Sequence, residues 1–125
     1  MIYGRVDPRR QSFVSLQVIG LAGHLETINA LVDTGFTGAL LLPLGVVQRL
    51  GLEPSESVTM RLADGSRVEV PRYLARVIWE GSEKLVSVPA SGRQPLLVTG
   101  LLDGHRLLID IVPGGLVSIE ALAAP

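Results

Sequence analysis

The chain has 125 residues, of which 47% are hydrophobic and 18% are charged, with 14 glycines and 8 prolines. This balance predicts a single packed domain over residues 1–125 with many turns, and it excludes a disordered or fibrous chain. The net charge of -1 provides no basic excess to neutralise a phosphate backbone, so we expect no nucleic-acid partner. The absence of cysteine excludes a disulfide framework, a thiolate nucleophile and a cysteine-based zinc site.

The first residues lack the apolar core of a secretory signal, and no apolar stretch approaches the roughly 18 residues needed to cross a bilayer. We therefore expect a soluble, cytoplasmic protein with no membrane partner. His24 and His105 are the two histidines and lie far apart in the sequence without cysteine partners. The sequence therefore predicts no metal site and no cofactor.

Hydrophobic alternation predicts short strands in the first half of the chain. Residues 13–19 alternate between apolar and mixed positions, which is the period of a half-buried strand. A second strand is predicted over 24–32, and the apolar run 39–42 is typical of a strand buried on both faces. Residues 44–50, which lie between Pro43 and Gly51, have the proline start and glycine stop of a short helix.

The second half of the chain continues the pattern of short strands. Residues 58–62 and 67–70 alternate and flank Asp64-Gly65, and Asp-Gly between two such runs is a strong hairpin signal. Further strands are predicted over 73–79, 85–88, 96–99, 107–112 and 116–119. Nine or ten short strands with one or two short helices predict an all-β fold, either a sandwich or a closed barrel.

Asp33-Thr34-Gly35 occurs once, directly after the apolar residues 30–32. A carboxylate in a tight turn at the end of a strand is held by fixed backbone, which suits an acid or base in catalysis. Asp, Thr and Gly also favour ordinary turns, which is the alternative interpretation. Asp103 and Asp110 could form a second acidic pair, but their contexts are more typical of solvated or capping carboxylates.

Three segments in order, Ala30 to Gly35, the hairpin at Asp64-Gly65-Ser66, and the apolar strand that ends at Val98-Thr99-Gly100, resemble the retropepsin-like aspartic proteases. The resemblance spans roughly residues 14–119. It implies a closed β-barrel or sandwich of the acid protease type. The roles that it implies are catalysis for Asp33, support of the active-site loop for Thr34 and Gly35, a flap over substrate for Asp64, Gly65 and Ser66, and support from the psi-shaped loop for Val98, Thr99 and Gly100.

The chemistry of this family explains why one Asp per chain predicts a homodimer. Peptide hydrolysis by this route needs two carboxylates that share one proton and hold one water molecule between them. Since the chain supplies one Asp of this kind, the second comes from an identical partner across a two-fold axis. The implied substrate is an extended peptide or an unfolded protein. The resemblance further suggests that residues 2–6 and 116–122 interlock between the two chains.

The residues after Gly35 depart from the family pattern. Phe36 stands where cellular pepsins carry Ser and retroviral enzymes carry Ala, and Thr37 stands where retroviral enzymes carry Asp. Both are expected to lie in the substrate groove and to alter substrate binding there. A weakly active or inactive peptide-binding or regulatory dimer on the same fold is therefore an alternative hypothesis, and an unrelated β-barrel interaction module is a third.

Overall fold

The computed structural model describes residues 1–123, and within them it contains twelve strands, a 3-10 helix and two short α-helices. The strands are β1 Ile2–Val6, β2 Ser12–Ile19, β3 Leu25–Val32, β4 Leu40–Leu41, β5 Glu53–Pro54, β6 Val58–Arg61, β7 Arg67–Val70, β8 Arg72–Trp79, β9 Ser82–Pro89, β10 Leu96–Leu97, β11 His105–Ile109 and β12 Leu116–Ala121. The helices are α1 Leu44–Leu50 and α2 Thr99–Leu102, and the 3-10 helix is Leu21–Gly23.

Ten strands form one curled sheet, and six of them close into a ring. Their order is β11-β12-β1-β2-β3-β10-β4, and β8 joins β2 while also pairing with β5 and β9. A parallel bridge between Leu42 and Ala90 connects the end of β4 to the end of β9. The circuit β2, β3, β10, β4, β9, β8 and back to β2 is therefore closed by hydrogen-bonded neighbours. This arrangement confirms the predicted all-β fold with two short helices.

The core forms because strand alternation turns one face of each strand inward. In β2, Val14, Leu16 and Val18 are all no more than 2% exposed, as their alternation predicted. They pack against Val77 of β8 and Leu97 of β10, which are fully buried. Burial of one such side chain contributes roughly 1.5–3 kcal/mol.

Helix α1 follows the sequence signals closely. Pro43 is the residue before the helix, with φ of -58° and ψ of 148°. Gly51 ends the helix in the left-handed region, at φ of 66°, and its N–H donates to the carbonyl of Gln48 at 3.1 Å. Glycine adopts this conformation without the steric penalty of a Cβ atom.

In the described part of the chain, neither helix has the length or apolar character needed to cross a membrane.

The structure corrects two strand predictions from the sequence. The strand predicted over 96–99 ends at Leu97, and Thr99 begins α2. The strand predicted over 107–112 runs from His105 to Ile109. The terminal strands β1 and β12 pair with each other within one chain, and interlocking of these segments between two chains stays a prediction. The two-residue strand β5 was not predicted, because two residues carry no alternation.

Candidate active site

Asp33 directly follows β3, at the centre of a psi-shaped arrangement of strands. Strand β10 lies between β3, to which it is parallel, and β4, to which it is antiparallel. The N–H of Asp33 donates to the carbonyl of Leu97 in β10 at 2.9 Å. Because Leu97 is fully buried, the backbone of Asp33 is anchored on the core.

The Asp33 carboxylate is fixed by the turn that follows it. Its Oδ1 atom accepts a hydrogen bond from the N–H of Gly35 at 2.8 Å, and a Cβ atom at Gly35 would lie 3.1 Å from that oxygen. Asp33 is half-buried and Thr34 is exposed. Within residues 1–123 neither the second oxygen of Asp33 nor the hydroxyl of Thr34 has a hydrogen-bond partner. Both groups are therefore available to a ligand or a partner.

The start of α2 braces the loop that carries Asp33. The hydroxyl of Thr99 donates to the carbonyl of Phe36 at 2.8 Å, and the N–H of Gly100 donates to the carbonyl of Gly38. A Cβ atom at Gly100 would lie only 2.2 Å from the Gly38 oxygen. This close approach requires glycine, because real Cβ atoms essentially never come within 3.0 Å of another heavy atom.

A cleft of about 690 Å³ lies between the Asp33 loop and the hairpin formed by β6 and β7. Its lining is mainly apolar and comes from both sides: Gly35, Phe36, Thr37, Gly38, Ala39 and Leu41, then Val58, Thr59, Met60, Arg61, Leu62 and Ala63, and finally Arg72, Ser87 and Pro89. All four residues of β6 line it. Strand β6 pairs with β7 alone among the described strands, so its second edge is free to bond another extended segment.

The hairpin turn contains the predicted flap residues. Gly65 has φ of 86°, and Asp64 accepts hydrogen bonds from the Ser66 hydroxyl at 2.6 Å and the Ser66 N–H at 2.8 Å. The Ser66 hydroxyl, followed by the Ser66 N–H, lowers the pKa of Asp64 below its ordinary value, because both stabilise the charged carboxylate. The turn therefore has a defined shape although it is exposed.

The structure brings the predicted site residues together in two groups. Gly35, Phe36 and Thr37 line the cleft. Asp33 and Thr34 stand beside its lining on the same loop, while residues 98–100 support that loop from behind. Residues 64–66 lie at the tip of the hairpin and outside the cleft lining.

Sequence reasoning missed two kinds of cleft residue. The residues of β6 could have been found from their position next to the predicted flap. Arg72 and Ser87 lie on neighbouring strands β8 and β9 and had no sequence signal, because only the folded sheet brings them to the cleft.

The histidines take part in local backbone contacts. The Nδ1 atom of His24 lies 2.8 Å from the carbonyl of Leu21, and that of His105 lies 2.8 Å from the carbonyl of Asp103. Across residues 1–123, no three His, Asp or Glu side chains are grouped so that they could hold a metal ion.

The same fold occurs in a solved protein, a retropepsin-like aspartic protease from Rickettsia conorii. Its crystal structure superposes with a TM-score of 0.62 over 97% of this chain and 92% of that chain, at 17% sequence identity. No protein-family model matches the chain, and no curated protein matches it. At this identity the similarity concerns the fold. The chain therefore has the fold of the retropepsin-like aspartic proteases, with Asp33 on its central psi-shaped arrangement of strands.

Proposed function

We propose that this protein is an aspartic endopeptidase that acts as a homodimer, with Asp33 of each subunit forming one half of the catalytic pair. The observation that carries this proposal is the position of Asp33. Its backbone is anchored on the buried strand β10, its carboxylate is oriented by the N–H of Gly35, and its loop lines a cleft of about 690 Å³.

A pair of Asp33 carboxylates and one water molecule account for peptide hydrolysis without a further catalytic side chain. Two carboxylates in contact share one proton, since two like charges at that separation are unfavourable. The ionised member accepts a proton from a water molecule as the water attacks the peptide carbonyl. The protonated member donates a hydrogen bond to the developing oxyanion. When the C–N bond breaks, it transfers its proton to the leaving amine, and the pair keeps the one proton taken from water. No covalent intermediate is formed.

The features around Asp33 fit this role in a dimer. The unpartnered hydroxyl of exposed Thr34 is available to brace the two loops across the two-fold axis. An extended peptide in the cleft would bond the free edge of β6, and its side chains would contact the apolar lining. The hairpin of β6 and β7 would then close over the peptide and exclude water.

The test is hydrolysis of a denatured, unlabelled protein substrate from about pH 3 to pH 7, the range in which carboxyl groups change charge. Wild type is expected to cleave the substrate, and Asp33→Asn is expected to lose this activity because an amide cannot accept the proton. Asp103→Asn is the matched control, since Asp103 is exposed and lies after α2, away from the cleft lining. Equal cleavage by wild type and Asp33→Asn would refute the proposal.

Phe36 supports a second candidate, a peptide-binding dimer with little or no turnover. Phe36 is 37% exposed and lines the cleft, where its side chain adds apolar contact area but no catalytic group. Tight binding of an extended peptide by wild type, with no cleavage at any pH in this range, would favour this candidate.

A further inference from the structure

Arg72 is a charged residue inside the otherwise mainly apolar cleft. It is the first residue of β8 and lies opposite Pro89 of β9, and both residues line the cleft. The Nε atom of Arg72 is buried and has no hydrogen-bond partner. Within residues 1–123 the side chain also takes part in no ion pair.

Two surface arginines of this chain have a carboxylate partner. Arg49 pairs with Glu26 at 2.7 Å, and Arg76, four residues after Arg72 on the same strand, pairs with Glu83 at 3.4 Å. Arg72 is the one of these three with a buried N–H group, and it lacks a carboxylate. A buried donor without a partner is costly, whereas a solvated one is not. The terminal nitrogens of Arg72 are not buried and also have no partner among residues 1–123, so an acceptor from outside the chain can reach them.

The charge of the cleft favours an acidic partner for Arg72. The lining residues include two arginines, Arg61 and Arg72, and no Asp or Glu. Arg61 lies directly opposite Arg67 across the hairpin, and like charges in such a pair repel each other. A ligand with a negative charge would therefore meet complementary charge in this cleft.

We propose that the cleft selects peptides carrying a Glu or Asp side chain, whose carboxylate pairs with the guanidinium of Arg72. Because the Nε atom is buried, the planar guanidinium would donate from its two terminal nitrogens together to both oxygens of one carboxylate. The inference rests on the proposed function in one respect, that the cleft is the peptide site. The inference adds that Arg72 determines the specificity of the cleft for acidic peptides.

The experiment measures peptide binding in a background that cannot cleave. The full-length Asp33→Asn chain is titrated against two fluorescent peptides that are identical and largely apolar except for one central residue, Glu in one and Gln in the other. Anisotropy should show that the Glu peptide binds about tenfold more tightly, as one charge-assisted pair warrants. The ratio should fall as the salt concentration rises.

Substitutions at Arg72 assign the preference to this side chain. Added to Asp33→Asn, Arg72→Gln should bring the Glu to Gln affinity ratio close to one, while Arg72→Lys, which keeps the charge but not the planar fork, should retain part of it. Arg76→Gln is the matched control on the same strand and should leave the ratio unchanged. Melting curves identify any variant that fails to fold, and the Lys variant then carries the test.

Two results would overturn the inference: equal binding of the two peptides by the Asp33→Asn chain, or a Glu preference that survives Arg72→Gln in a folded protein. Neither result depends on hydrolysis, so the inference can fail while wild type remains an active peptidase. Conversely, a wild-type protein without peptidase activity would refute the proposed reaction. The ratio of Glu to Gln peptide affinities would still be decided by the binding measurement on the Asp33→Asn chain.

Discussion

Substitution of Gly100 by Ala tests whether α2 positions the Asp33 loop. The added Cβ atom would lie 2.2 Å from the Gly38 oxygen and 2.7 Å from the Gly38 carbonyl carbon, where at least 3.0 Å is needed. The two backbones must therefore separate by about 0.8 Å, the difference between 3.0 Å and 2.2 Å. Both neighbours are backbone atoms, which cannot rotate away as a side chain could.

The energetic cost has two parts. Overpacking of a well-packed region costs about 1–3 kcal/mol, and loss of the hydrogen bond from the Gly100 N–H costs about 0.5–1.5 kcal/mol. We expect Gly100→Ala to lower the free energy of unfolding by about 2–4 kcal/mol in urea denaturation. The melting temperature should fall by on the order of 10 °C. Peptidase activity should fall further than stability, because the displaced loop carries Asp33.

Gly45→Ala is the matched control for Gly100→Ala. Gly45 is exposed in α1, and a Cβ atom there would meet no heavy atom within 4 Å. Since alanine favours helix over glycine, this substitution should stabilise the protein by roughly 0.5–1 kcal/mol. Both variants and wild type must be compared at one protein concentration, because the stability of the proposed dimer would depend on it. A Gly100→Ala protein as stable as wild type would refute the reasoning.

Two further predictions concern the hairpin turn and the loop brace. Ser66→Ala should raise the pKa of Asp64 toward its ordinary value, as followed by NMR titration of the side-chain carboxyl. Because that pKa is lowered in the folded state, the turn's stabilising contribution is present above the unfolded pKa and is lost as the pH falls through the folded pKa. An Asp64 titration unaffected by Ser66→Ala would contradict this account. Thr99→Val removes the hydrogen bond to the Phe36 carbonyl and should cost about 1 kcal/mol in urea denaturation; an unchanged unfolding midpoint would exclude that bond as a brace.

The sequence was sufficient where a local pattern and the tertiary environment agree. The alternation in β2 predicted its buried face, and the glycine at position 51 predicted the end of α1. The Asp-Gly turn predicted the hairpin of β6 and β7, because a two-strand hairpin depends mostly on its own turn. The apolar run 30–32 predicted that Asp33 directly follows a strand, as it follows β3.

The sequence was insufficient where distant contacts decide the structure. Residues 96–99 were predicted as one strand, but β10 ends at Leu97 and Thr99 begins α2, where Gly100 closely approaches Gly38. Ile111 and Val112 were predicted to lie in a strand, yet they are 65% and 56% exposed beyond the end of β11. The backbone of Gly115 packs closely against Asp110, since a Cβ atom at Gly115 would lie 1.8 Å from the Asp110 carbonyl oxygen. The turn after β11 therefore begins near Asp110, before the Pro113-Gly114-Gly115 signal.

The central claim is that two copies of Asp33, one from each subunit, form a single catalytic pair. Mixing wild type with Asp33→Asn at equal amounts, with full subunit exchange and constant total concentration, tests it most directly. If both carboxylates are needed, about one quarter of the dimers are competent, and activity should be about one quarter of that of wild type. Activity of about one half would show that each Asp33 acts alone, and would contradict the account.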